Sequence, residues 1–91
     1  MKQVEIYTSP FCGYCHRAKA LLTKRSIPFV EFDVVMEPQK RAEMEQRTGG
    51  ARTVPQIFID GQSIGGSDDL AALDRSGQLP QLLSATPGDP A

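Results

Sequence analysis

Apolar and polar residues alternate through Val4-Glu5-Ile6-Tyr7, and the types are β-prone, so the pattern predicts a first strand there. Thr8-Ser9-Pro10-Phe11 breaks it. From Cys15 to Arg25 the apolar positions are Cys15, Ala18, Leu21 and Leu22, which is helical spacing, while His16, Arg17, Lys19 and Lys24 fall on the opposite face. This predicts a helix that starts close to Cys12 and ends near Ser26, before Pro28. Phe29-Val30-Glu31-Phe32-Asp33-Val34 reads as a second strand. Strand, helix and strand at this spacing form a βαβ unit, hence two parallel strands with a right-handed crossover.

Pro38 suits a helix start, and Gln39 to Thr48 is polar apart from Ala42 and Met44. A helix is predicted there, supported by a Glu43–Arg47 pair four residues apart and ended by Gly49-Gly50. Gln56-Ile57-Phe58-Ile59 reads as a third strand. Asp60-Gly61 is a two-residue hairpin signal, and Gln62-Ser63-Ile64 returns antiparallel to the third strand. After Gly65-Gly66, Ser67 or Asp68 is placed to cap a helix with an acidic first turn, running through Leu70, Ala71 and Leu73 to Arg75 and stopping at Gly77. Leu79 to Leu83 adds one turn. The expected fold is α/β, a four-stranded mixed sheet flanked by helices, over residues 1–84. Residues 85–91, Ala-Thr-Pro-Gly-Asp-Pro-Ala, read as a flexible tail.

The chain has 91 residues and 40% hydrophobic composition, enough for one domain with one thin core. No stretch approaches the roughly 20 apolar residues of a membrane span. The net charge of -1 gives no basic footprint for nucleic acid. Met1-Lys2-Gln3-Val4-Glu5 lacks the apolar segment of a signal peptide, which leads to an expectation of a reducing, cytoplasmic setting. There a close cysteine pair is catalytic or metal-binding more often than structural.

The two cysteines, Cys12 and Cys15, are three positions apart. A bridge between them closes too small a loop to staple a fold. They stand directly after a strand and at the start of a helix, where exposed N–H groups and the helix dipole favour negative charge on sulfur. Cys12 then reads as the exposed nucleophile. Cys15, one helical turn on, points toward the core and is placed to attack a mixed disulfide formed at Cys12. A zinc site would need about four ligands, and only His16 joins the cysteines locally.

Tyr7-Thr8, then Cys12-Gly13-Tyr14-Cys15, then Thr53-Val54-Pro55, then Gly65-Gly66-Ser67-Asp68-Asp69, in this order and each at an element boundary, resemble the glutaredoxin family, in particular its small bacterial dithiol type. The resemblance covers roughly Gln3 to Leu83. It implies a thioredoxin-like fold and a glutathione-dependent thiol–disulfide oxidoreductase acting on glutathionylated proteins and protein disulfides, a monomer with glutathione as co-substrate. It implies a cis bond between Val54 and Pro55, with the Val54 backbone pairing to the cysteine of glutathione as a one-rung strand addition. Thr53 belongs to the same segment. Gly66 leads into the N–H groups of Ser67 and Asp68, which by resemblance hold the γ-glutamyl carboxylate while the Asp68 carboxylate faces the ammonium. Tyr14 flanks the groove, and Arg41 matches a family position for the glycine carboxylate.

Three departures from the family pattern stand out. Ser9 occupies the place of a frequent lysine, Gly13 that of a frequent proline, and Ser67 that of a cysteine found in some relatives. Gly13 motivates the alternative function: a [2Fe–2S] cluster held on Cys12 between two subunits with two glutathiones, acting as an iron–sulfur carrier or sensor.

Overall fold

A computed structural model describes residues 2–83, so the expected tail at 85–91 lies outside the described residues. Strand β1 (Val4–Thr8) leads into helix α1 (Gly13–Lys24), strand β2 (Val30–Asp33) and helix α2 (Pro38–Thr48). Strands β3 (Gln56–Ile59) and β4 (Gln62–Gly65) form a hairpin, followed by α3 (Ser67–Arg75) and the short α4 (Leu79–Leu82). The sheet order is β2-β1-β3-β4. β1 and β2 run parallel, and the other two pairings are antiparallel. This is the mixed four-stranded α/β sheet expected from the sequence.

The single core expected from composition is divided by the sheet. Side chains alternate across a strand, so Val4 and Ile6 of β1 join Ala18 and Leu22 of α1, Ile57 and Ile59 of β3 and Leu70 of α3 on one face. Tyr7 and Phe58 point the other way and pack with Val34 and Met44 under α2.

Element ends move for identifiable reasons. β1 continues through Thr8, because the Thr8 carbonyl accepts the Val34 N–H at 2.9 Å and its buried hydroxyl donates to Glu31 at 2.6 Å. α1 begins at Gly13, next to Cys12 as expected, with Cys12 itself as the cap. β2 is shorter than expected. In the hairpin, Asp60 and Gly61 both have positive φ, 53° and 81°, as a type I′ turn demands. β4 carries a bulge that the sequence did not signal: Phe58 pairs with Ser63, but Ile57 pairs with Gly65, leaving Ile64 as the extra residue.

The expected Glu43–Arg47 contact is replaced by a longer-range arrangement. The Tyr7 hydroxyl donates to Glu43, and Arg47 donates to the Tyr7 oxygen at 2.7 Å. Arg47 also reaches Glu5 at 3.0 Å. Both α2 residues are thus spent on β1, which fastens a mostly polar helix to the sheet. Burial, with the Glu43 carboxylate adding to it, pushes the Tyr7 phenol up to about 12.

Candidate functional site

The site is assembled where β1 ends, where β3 begins and where α3 starts. After Thr8 the chain turns, with the Cys12 N–H donating to the Ser9 carbonyl at 3.2 Å. Cys12 has extended backbone angles (φ -106°, ψ 113°) and caps α1 with its own sulfur, which accepts the Cys15 N–H at 3.2 Å. Sulfur here occupies the position that a serine or aspartate oxygen takes at an ordinary helix start. As a thiol, the same Sγ donates to the Val54 carbonyl at 3.5 Å. Cys12 is partly accessible, whereas Cys15 is 0% exposed. The Cys15 thiol is pushed up to about 12, first by burial and then by its contact with Cys12. The backbone at Ser9 and the Lys19 ammonium pull it the other way, less strongly. Two sulfurs three residues apart therefore sit in opposite environments.

The facing wall is the Arg52–Gln56 segment. Its Val54–Pro55 bond is cis, as the resemblance implied. Two side chains brace the backbone before it. Arg41, reaching from α2, donates to the Arg52 carbonyl at 3.1 Å. Gln56 donates through Nε2 to the Thr53 carbonyl at 3.0 Å and to its hydroxyl at 3.3 Å.

The third wall is the turn into α3. Gly65 has φ 105°, a conformation open to glycine. The helix cap is Gly66, not Ser67 or Asp68 as expected, because the Asp69 carboxylate at the third helical position accepts the Gly66 N–H at 2.9 Å. Ser67 and Asp68 are displaced into the first turn, where their N–H groups have no carbonyl within the helix to bond.

These walls enclose an open groove of about 330 Å³ lined by Tyr14, Thr53, Val54, Pro55, Gln56, Gly65, Gly66, Ser67, Asp68 and Asp69. Seven of the eight residues singled out for ligand contact line it; Arg41 stands behind the Arg52–Val54 backbone instead. Tyr14 is 57% exposed, with the Arg17 guanidinium 5.5 Å from its ring centre. His16 is exposed, and its ring meets the Pro10 carbonyl at 3.4 Å, away from the sulfurs. Gln56, Gly65 and Asp69 were not singled out as site residues. Gln56 looked like an ordinary strand residue, and only the acidic first turn hinted at Asp69.

A larger hollow, about 430 Å³, lies between the β3–β4 hairpin and α3 and contains neither cysteine. Among the described residues no three His, Cys, Asp or Glu side chains converge on a metal-sized site, and no helix is long and apolar enough to cross a membrane.

Chemically, the arrangement offers an accessible sulfur at a helix start, a second sulfur buried beside it and a groove whose far end presents free backbone donors. The glutaredoxin family model matches residues 4–64. Glutaredoxin 3 of Escherichia coli strain K12 is 55% identical over 83 residues, covering 91% of this chain and 99% of the relative. The solution structure of a Brucella melitensis glutaredoxin superposes with a TM-score of 0.78 at 51% identity, covering 91% of this chain and 89% of that one. A buckwheat glutaredoxin–glutathione complex gives 0.81 at 31% identity, covering 91% and 77%. With the family model, the sequence relatives and the thioredoxin-like fold in agreement, this chain belongs to the glutaredoxin family of thiol oxidoreductases.

Proposed function

We propose that the protein is a glutathione-dependent thiol–disulfide oxidoreductase that reduces glutathionylated proteins and protein disulfides. Cys12 attacks as thiolate and forms a mixed disulfide. Glutathione resolves it in the monothiol route; Cys15 resolves it in the dithiol route, and glutathione then reduces the Cys12–Cys15 disulfide. The observation that carries this reading is the position of the Cys12 sulfur, 3.5 Å from the Val54 carbonyl at the edge of the groove. A mixed disulfide at Cys12 would lay its tripeptide along that edge.

In this reading the Val54 backbone pairs with the cysteine of glutathione, and Thr53 and Pro55 hold that segment in shape. The free N–H groups of Ser67 and Asp68 receive the γ-glutamyl carboxylate, as helix N-termini receive anions generally. The Asp68 carboxylate meets the ammonium, Gly66 lets the ligand approach the turn, and Tyr14 covers one flank. Arg41, which braces the Arg52 carbonyl from behind the groove wall, brings positive charge to the side away from the α3 turn for the glycine carboxylate. The buckwheat relative solved as a glutathione complex, at 31% identity, supports the choice of ligand. The reaction fits a reducing compartment such as the cytoplasm.

An iron–sulfur role would require Cys12 plus ligands from outside the chain, since among the described residues no three His, Cys, Asp or Glu side chains converge there. Thiol exchange uses the Cys12–Cys15 pair already in place. The test is an electron-donor comparison. The reduced state should be regenerated by glutathione with glutathione reductase, and far more slowly by thioredoxin reductase. Equal or better turnover with thioredoxin reductase would contradict glutathione dependence.

A further inference from the structure

The dithiol route places a chemical demand on Cys15. Its thiol is fully buried and holds its proton tightly, yet it must become a nucleophile toward the Cys12 mixed disulfide. Among the groups that act on it are Cys12 and Lys19 from α1 and the Ser9 backbone from the preceding turn. The sequence pattern set Lys19 on the face opposite Cys15, but it follows Cys15 by four residues and is only partly exposed, so it stands one turn above Cys15 at the edge of the buried face instead.

An exposed lysine would extend into water. Lys19 does not: its side chain is 27% exposed, and its ammonium is 2.9 Å from Glu31 Oε2 on β2. The same carboxylate oxygen accepts the Thr8 hydroxyl at 2.6 Å. Thr8 is 1% exposed and ends β1 on the face that packs against α1, by alternation with Val4 and Ile6. The ammonium is therefore tethered to the sheet edge next to the turn that leads to the cysteines. Burial pulls the Glu31 carboxyl upward, but the Thr8 and Lys19 bonds outweigh it and hold it below its usual range, so the tether stays charged at neutral pH.

We propose that Lys19, pinned by Glu31 and Thr8, is the positioning cation that makes buried Cys15 competent to resolve the mixed disulfide. The inference rests on the reading of Cys15 as the resolving thiol. In the step concerned, Cys15 loses its proton and its sulfur electron pair attacks Cys12 Sγ. The Cys12–substrate S–S bond breaks, and the substrate sulfur leaves with that bond's electron pair and takes up a proton. The two cysteines are oxidised to one disulfide as the substrate is reduced. Lys19 offsets the negative charge that appears on Cys15 before the bond forms. It takes no part in the glutathione-resolved route, which bypasses Cys15.

The experiment compares Lys19→Met and Lys19→Arg with the parent protein in two assays. One is deglutathionylation of a peptide; the other is reduction of a protein disulfide that needs both cysteines. Lys19→Met should slow the second about three- to tenfold, the range expected when a thiolate fraction falls by removal of one partly screened charge. It should leave the first unchanged, and Lys19→Arg should restore the loss. In a Cys12→Ser background, the pH midpoint of Cys15 alkylation should rise with Lys19→Met and stay put with Lys19→Arg. Equal slowing of both assays, failure of arginine to rescue, or an unmoved midpoint would overturn the proposal. Cys15→Ser in the same protein-disulfide assay separates the two levels: full activity there refutes the resolving role of Cys15 itself, whatever Lys19 does.

Discussion

The backbone N–H of Cys15 donates to the sulfur of Cys12 at 3.2 Å, so the first cysteine of the pair caps the helix that carries the second. One sulfur ends a helix where negative charge is favoured, and the other lies beneath it without access to solvent. The proposed division of labour between attacking and resolving thiol rests on this one turn of helix.

Selective alkylation should report that division. With limiting iodoacetamide at neutral pH, label should appear on Cys12 and be nearly absent from Cys15, whose thiol is pushed up to about 12 by burial and its neighbour. Peptide mapping by mass spectrometry checks it. Equal labelling of the two would contradict the burial argument.

The Tyr7–Glu43–Arg47 contact gives a signed pH dependence. The Tyr7 hydroxyl, with help from Lys40 and Arg47, holds the Glu43 carboxyl below its usual range against burial. A carboxyl lowered on folding contributes stability above its unfolded value, about 4.3, and that contribution is lost as pH falls through the folded value. Glu43→Gln should therefore unfold at lower urea than the parent at pH 7, with the difference shrinking toward pH 3. A gap that widened in acid would contradict the assignment.

Much of the fold was legible because alternation and helical spacing are local signals. β1 and the βαβ unit followed from them directly, and the hairpin from the Asp60-Gly61 turn signal. What stayed hidden depends on residues far apart in sequence. Tyr7 meets partners 36 and 40 positions away, which diverts Glu43 and Arg47 from the pair their spacing suggested. The Ile64 bulge and the Gly66 cap hide for a different reason, since each is decided by how neighbouring backbone is already held. Within the site, the cysteines and the groove residues could be named from motifs, but the bracing by Gln56 needs the turn at Val54–Pro55 to bring it under Thr53.

Gly65 tests the turn into α3 at the end of the groove proposed to hold the γ-glutamyl carboxylate. A Cβ there would lie 2.2 Å from Asp69 Oδ2, the atom that accepts the Gly66 N–H, and the φ of 105° is itself unfavourable for other residues. Gly65→Ala should cost about 1–3 kcal/mol, combining backbone strain with loss of the cap. It should also raise the KM for glutathionylated substrates, because the Ser67 and Asp68 donors move with the turn. Urea unfolding and steady-state kinetics check both; unchanged stability would contradict the packing described.

Gly13 points the other way. It is the first residue of α1, and a Cβ there meets nothing within 4 Å. Gly13→Pro should stabilise the protein by about 0.4–1 kcal/mol, mainly by restricting the unfolded chain. A fall in the thermal midpoint would show that the Gly13 N–H or its flexibility is used in the folded state.

The central claim is that Cys12 alone performs glutathione-linked exchange while Cys15 serves only the dithiol route. The most direct measurement is the rate of deglutathionylation of a glutathionylated peptide, with glutathione as reductant, by Cys12→Ser and Cys15→Ser proteins. The account predicts no turnover for Cys12→Ser and near-parent turnover for Cys15→Ser. Residual turnover by Cys12→Ser, or its loss in Cys15→Ser, would contradict it.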